Sequence, residues 1–215
     1  AIMGQAASDP IGSARQLKDQ DLAALWKSQI GPDGHMAPNV CSARDQDGRS
    51  ALHIASAEGK SQAVALLLKK QAIPANCVDN NMITPLHSAV FRNYAQVASL
   101  LLDNGAEINA QDLQGLTALH WSVVNASLDC IDVLLERKAD PSIKNLRGQT
   151  ALDIARTLKP RVREQVLGKL SNDGSVKPNL SLPVAINERT AHEHELARQK
   201  LFAGLVSSMG KETRR

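Results

Sequence analysis

Four stretches of the chain share one spacing of apolar and polar positions. Leu52, Leu86, Leu119 and Leu152 recur at intervals of 34, 33 and 33 residues. Each is followed by His53, His87, His120 or Asp153 and stands two residues after Ser50, Thr84, Thr117 or Thr150. A second apolar run comes after each of the first three: Val64, Leu67 and Leu68; Val97, Leu101 and Leu102; Cys130, Ile131, Leu134 and Leu135. Spacings of three and four put each run on one helix face. Glycine or proline in the stretches between, as in Gly105 to Ala110 and Ala139 to Lys144, ends the helix and turns the chain. The period reads as turn, short helix, second helix and extended return. Such a unit cannot bury its apolar seam alone, so the copies must stack.

Upstream, Ser13 or Asp19 is placed to cap a helix running to about Ile30, with Leu22, Leu25, Trp26 and Ile30 on one face. Gly31-Pro32-Asp33-Gly34 stops it. A one-faced helix before a stack covers the first unit's open surface, so Trp26 is assigned to that cap and not to a ligand.

Thr84-Pro85-Leu86-His87 after a turn, the leucine pairs, and Asn104-Gly105-Ala106-Glu107-Ile108-Asn109 closely resemble the ankyrin repeat family over about residues 45–170. The resemblance implies an all-α fold, a solenoid of four helix-turn-helix units with flanking capping helices. It implies that Ser50, Thr84, Thr117 and Thr150 cap the first helices. It also implies that His53, His87 and His120 bridge each cap to the backbone of the next unit, which assigns them to structure and not to a metal. Asp153 replaces the histidine where no fifth unit follows, and Arg163 stands where Val97 and Cys130 stand earlier, as a polar terminal unit requires. Met82 replaces the turn glycine and Pro74 is the extra residue of the first interval, so the hairpin tip around Met82 is expected to be distorted.

Family relatives bind through hairpin tips and the inner face of the first helices. Carried over by position, the partner-facing residues are Asp47, Arg49, Ala57 and Glu58, then Asn81, Ile83, Phe91 and Arg92. They continue with Gln114, Leu116, Val124 and Asn125, then Arg147, Gln149, Thr157 and Leu158. Ile83, Phe91, Leu113, Leu116 and Val124 are apolar where solvent exposure is expected, and such a patch marks an interaction surface. Two occupants are open: a separate protein or peptide, or the chain's own C-terminal stretch. There a linker around residues 171–186 precedes an amphipathic helix from about Asn187 to Met209, with Phe202, Leu205, Val206 and Met209 on one side, and a basic tail to residue 215.

Composition adds an asymmetry. Residues 1–155 hold 13 basic and 16 acidic side chains and residues 156–215 hold 12 and 6, so a net −3 is followed by a net +6. The basic part could meet an anionic membrane or an acidic protein. Nucleic acid, through Arg156, Lys159, Arg161 and Arg163, is disfavoured because aromatics for base stacking make up only 2% of the chain. Residues 1–12 read as a flexible terminus in which Ala1-Ile2 is a vector-derived remnant and Met3 the start. Met3-Gly4-Gln5-Ala6-Ala7-Ser8 then matches the N-myristoylation pattern, with Gly4 as acceptor. One such chain anchors only marginally, so basic residues must supply a second signal. The expected location is cytoplasmic, peripheral at a membrane. Cys41, Cys77 and Cys130 lack metal or disulfide spacing. No phosphate loop, HExxH, GxSxG or kinase motif occurs. The expectation is a non-enzymatic adaptor without metal or cofactor, and the alternative is a soluble cytosolic or nuclear ankyrin regulator without a lipid anchor.

Overall fold

The computed structural model describes residues 10–28, 30–31, 35, 37–70 and 72–172, and among them there are eleven helices and no strand. They are α1 (Pro10–Gln16), α2 (Asp19–Ser28), α3 (Pro38–Ser42), α4 (Ala51–Ala57), α5 (Ser61–Lys69), α6 (Pro85–Phe91), α7 (Ala95–Asp103), α8 (Ala118–Val124), α9 (Leu128–Glu136), α10 (Ala151–Thr157) and α11 (Pro160–Asn172). Gly4 and the C-terminal amphipathic stretch lie outside the described residues.

The helices form two layers. In the first, α1, α4, α6, α8 and α10 stack in order, and in the second α2, α5, α7, α9 and α11 do the same. The periodic leucines are the mortar: Leu52, Leu67, Leu86, Leu101, Leu119 and Leu134 are all buried between successive units. Each buried leucine contributes on the order of 1.5–3 kcal/mol, so one in-phase pair per unit suffices to bind neighbour to neighbour.

Each first helix of the four repeats begins in the same way. Ser50, Thr84, Thr117 and Thr150 have extended backbone and their hydroxyls accept the amide three residues on. The third residue answers: His53, His87 and His120 take the cap residue's own amide on Nδ1, at 3.1, 3.2 and 3.2 Å. Asp153 does this with Oδ2, at 3.0 Å from the Thr150 amide. This reciprocal capping box satisfies amides that a helix start otherwise leaves unpaired.

Three expectations need correction. The upstream helix is broken at Leu17-Lys18 into α1 and α2, and these stack on α4 and α5 as one repeat stacks on the next. Asp19 accordingly is not the cap of its own helix but its first residue, and its carboxylate accepts the Gln62 and Ala63 amides at the start of α5, at 2.9 and 3.0 Å. Asn93 plays the matching part further along, accepting the Cys130 amide at the start of α9 at 3.1 Å. Trp26 is buried, as a cap residue should be.

The tip around Met82 is not distorted. Met82 takes φ +60° in place of glycine, and Asp79 Oδ1 still accepts the Asn81 and Ile83 amides at 2.8 and 2.9 Å. The extra residue is absorbed earlier: Ala72 N donates to Leu67 O as Ala106 N does to Leu101 O, both at 3.0 Å. By Cys77, whose amide donates to Pro74 O as Ala110 N donates to Glu107 O, the return is back in register.

In the last unit Arg163 is half-exposed, and α11 contributes its buried contacts through Val166 and Leu170 instead.

Candidate functional site at the hairpin tips and first helices

Every tip is built on one side chain. Asp45, Asp79, Asp112 and Asn145 each accept two amides of their own turn on Oδ1, at 2.8–3.0 Å. An acceptor shared by two amides holds the loop in one conformation before any partner arrives, the arrangement Asp and Asn favour in turns. The tips are then tied to one another by backbone bonds: Asn80 N to Asp47 O at 3.0 Å, Leu113 N to Asn81 O at 3.1 Å, and Leu146 N to Gln114 O at 3.0 Å. Gly115, at φ +74°, permits the last of these, since a Cβ there would lie 2.9 Å from the Leu146 nitrogen.

This geometry sorts the candidate residues. Asn81, Leu113, Gln114 and Arg147 are exposed on the row of tips, and Asp47 is half-exposed beside them. Leu113 is 58% exposed. The residue after each left-handed position turns back under its tip. Leu116 is therefore only 9% exposed and Ile83 half-buried, which corrects the expectation that both face solvent. Their carbonyls accept the Nε2–H of His87 and His53, at 3.1 and 2.9 Å. Arg49, in the same position, is engaged within the first tip, bonding Asp45 and Asp47 at 2.8–2.9 Å while Arg15 of α1 also holds Asp45.

On the first helices, Phe91 is half-buried with its ring edge-on to Trp121 at 5.6 Å, so it joins two units as well as facing outward. Trp121 is itself fixed by its Nε1–H donating to Asp112 Oδ2 at 2.9 Å, which ties the first-helix face to the tip. Asn125 donates to the Trp121 carbonyl at 2.9 Å, Val124 is half-buried, and Arg92 is exposed.

Sequence reasoning missed Leu146, 80% exposed, and Met82, 44% exposed, and missed the anchoring role of Asp45, Asp79, Asp112 and Asn145. The anchors were detectable, since they recur at the same 34, 33 and 33 intervals as the leucines. The tips grade in character along the stack, from Gln46 and Asp47 through Asn80 and Asn81 to Leu113 and Gln114, then Leu146 and Arg147.

The three histidines confirm their bridging role geometrically. Nδ1 of His53 receives the Ser50 amide and lies 2.8 Å from the Ser50 hydroxyl, so the ring proton sits on Nε2 and is donated to the next unit. Burial pushes the His53 pKa down to about 4 and pushes those of His87 and His120 down as well. Burial likewise raises Cys130 to about 12 and raises Cys77, leaving both protonated and poor nucleophiles. No group of acidic, histidine or cysteine side chains able to hold a metal occurs among the described residues.

A family model described as ankyrin repeats (3 copies) matches residues 21–112 and again residues 75–145. The chain belongs to the ankyrin repeat family. The match begins inside α2, in keeping with the stacking of the upstream helix pair on the first repeat. Ankyrin repeats are a protein–protein interaction domain, and family members are typically non-enzymatic. The ankyrin stack here is thus built for binding, on tips made rigid by internal hydrogen bonds.

Proposed function

We propose that the protein is a non-enzymatic adaptor that binds a partner protein or peptide along its hairpin tips and first-helix face. The observation that carries this reading is the row of pre-ordered tips ending in two strongly exposed leucines, Leu113 and Leu146. Pre-ordered loops bind without the cost of ordering them, and exposed apolar side chains on them supply contact area. Phe91, Val124, Asn125 and Arg92 extend the surface onto the first helices, and Arg147 adds charge at its end. A photo-crosslinking residue at position 114 or 147, beside the exposed leucines, compared with one at Glu136 in the second layer, tests the proposal in cells. Crosslinks to a discrete partner should concentrate at the tips and disappear in a Leu113→Asp/Leu146→Asp protein captured by tag. Equal crosslinking from Glu136 would refute it.

Membrane attachment through Gly4 belongs to the same proposal and rests on the sequence motif Met3 to Ser8, with basic residues of the C-terminal part as second signal. The adaptor would then work at the cytoplasmic face of a membrane. Protein made with co-translational myristoylation should bind anionic liposomes in a salt-sensitive way, and Gly4→Ala should remove binding. Equal binding by both forms would discard the lipid and leave a soluble adaptor.

A further inference from the structure

On the second layer, away from the tips, α2 and α5 run side by side with a furrow between them. They run in the same direction, because Asp19 at the start of α2 bonds the amides at the start of α5. The two walls carry the same kinds of side chain at the same spacing. One presents Gln20, Ala23, Ala24 and Lys27, and the other Gln62, Ala65, Leu66 and Lys69. Positions zero, three, four and seven line one side of a helix. The furrow therefore has amides at one end, an apolar floor of three alanines and Leu66 in the middle and two ammonium groups at the other end.

The lysines are what make the furrow unlike other second-layer junctions. Where α7 meets α9, Arg137 is paired with Asp103 at 2.6 Å, and where α9 meets α11, Lys169 is paired with Asp132. Where α2 meets α5, two cations line one furrow, and neither ammonium group has an ion pair or hydrogen bond among the described residues. The carboxylate of Asp19 is committed two turns away, at the other end. Like charges brought together without an acid are unfavourable, and an acid supplied from outside would reverse the sign.

The furrow's shape selects the class of occupant. It is open along its length, whereas a small-molecule site buries most of its ligand on several sides. A trough of about two helical turns between two parallel helices, floored by alanines and Leu66, accepts the ridge of a third helix. We propose that this furrow is a second docking surface for an amphipathic helix of a partner protein. Its apolar stripe would lie on Ala23, Ala24, Ala65 and Leu66, and its carboxylates would meet Lys27 and Lys69. With the tips occupied on the other layer, the ankyrin stack could then join two proteins.

The test uses the full chain and a synthetic amidated helix of about 18 residues bearing leucines at positions zero, three, four and seven with two glutamates one turn on. Methyl NMR should show saturable shifts at Ala23, Ala24 and Ala65. Lys27→Glu/Lys69→Glu should weaken binding at least tenfold, and the same peptide with lysines for glutamates should restore it to that variant. Leu113→Asp/Leu146→Asp should leave the affinity unchanged, which separates failure here from failure of the tip reading. The proposal is overturned if these methyls do not shift, if the lysine variant binds within twofold of wild type, or if the shifts map to the tips. It is also overturned if phosphatidylserine vesicles, and not the peptide, lose binding in the lysine variant, since the furrow would then be a lipid surface.

Discussion

Acidification from about pH 7.5 to about pH 5 should loosen this stack through its histidines, and His53 allows the size of the effect to be worked out. The folded ring has a pKa of about 4, set chiefly by burial, against 6.5 for an exposed histidine. Nδ1 already receives the Ser50 amide and Nε2–H already donates to Ile83 O, so no site is left for a second proton without breaking the cap. The unfolded chain therefore takes up a proton first as pH falls. Stability is fully present above the unfolded pKa and is lost between 6.5 and about 4. At about 1.4 kcal/mol per pH unit, His53 alone removes about 2 kcal/mol by pH 5 and about 3 kcal/mol by pH 4. His87 and His120, shifted in the same direction, add to this loss. Asp79, whose carboxyl burial pushes up, works the other way, so a variant comparison isolates the histidine. His53→Asn keeps an oxygen to accept the Ser50 amide, as Asp153 does for Thr150 in the last repeat, but cannot titrate. It should be less stable at pH 7.5 by about 1–3 kcal/mol, because the Ile83 carbonyl loses its donor. Its stability should then fall less steeply with acid, by close to one proton's worth of slope. Urea unfolding at half-unit pH steps, with the m-value checked for constancy, measures both. Parallel slopes for wild type and His53→Asn, or a flat wild-type curve from pH 7.5 to 5, would refute the reasoning.

Other outcomes follow from the same contacts. Asp19→Ala removes the acceptor from the Gln62 and Ala63 amides and should cost about 1–2 kcal/mol of stability, the range for a lost helix cap; thermal melts followed by circular dichroism read it, and Asp19→Asn, which keeps one acceptor oxygen where the two amides use both, should recover only part of the loss. Gly115→Ala meets both φ +74° and the Leu146 backbone at 2.9 Å; it should cost about 1–3 kcal/mol and speed amide hydrogen exchange at Leu146. Phe91→Ala breaks the edge contact with Trp121 and should destabilise by at least about 1 kcal/mol with a change in tryptophan fluorescence, so it is a poor probe of binding. Leu146→Asp, at a side chain 80% exposed, should leave stability within about 0.5 kcal/mol and is the cleaner probe of the tip surface.

The stack and its capping were legible in the chain because both depend on short-range periodic chemistry. A leucine every 33 or 34 residues must find its neighbour in the next unit, and a serine or threonine two residues before it must cap the helix it begins. The bridging histidines followed from the family pattern and occur where it implied. Less was legible at the candidate surface. Leu113 and Leu116 are three residues apart and equally apolar, yet a left-handed residue between them sends one outward and folds the other under the tip. Arg49 looked available until Arg15, from a helix 30 residues from Asp45, completed the acid–base cluster that holds it.

The sequence by itself determined the repeat, its register and its helix starts, since each is decided within a few residues of chain or by one fixed interval. Tertiary structure alone decided which side chains are free at the surface. Lys27 and Lys69 are 42 residues apart, an interval outside the repeat period, and meet at one furrow only because α2 stacks on α5. Exposure and charge pairing depend on which surfaces the stacking brings together, and that contact has no signature along the chain.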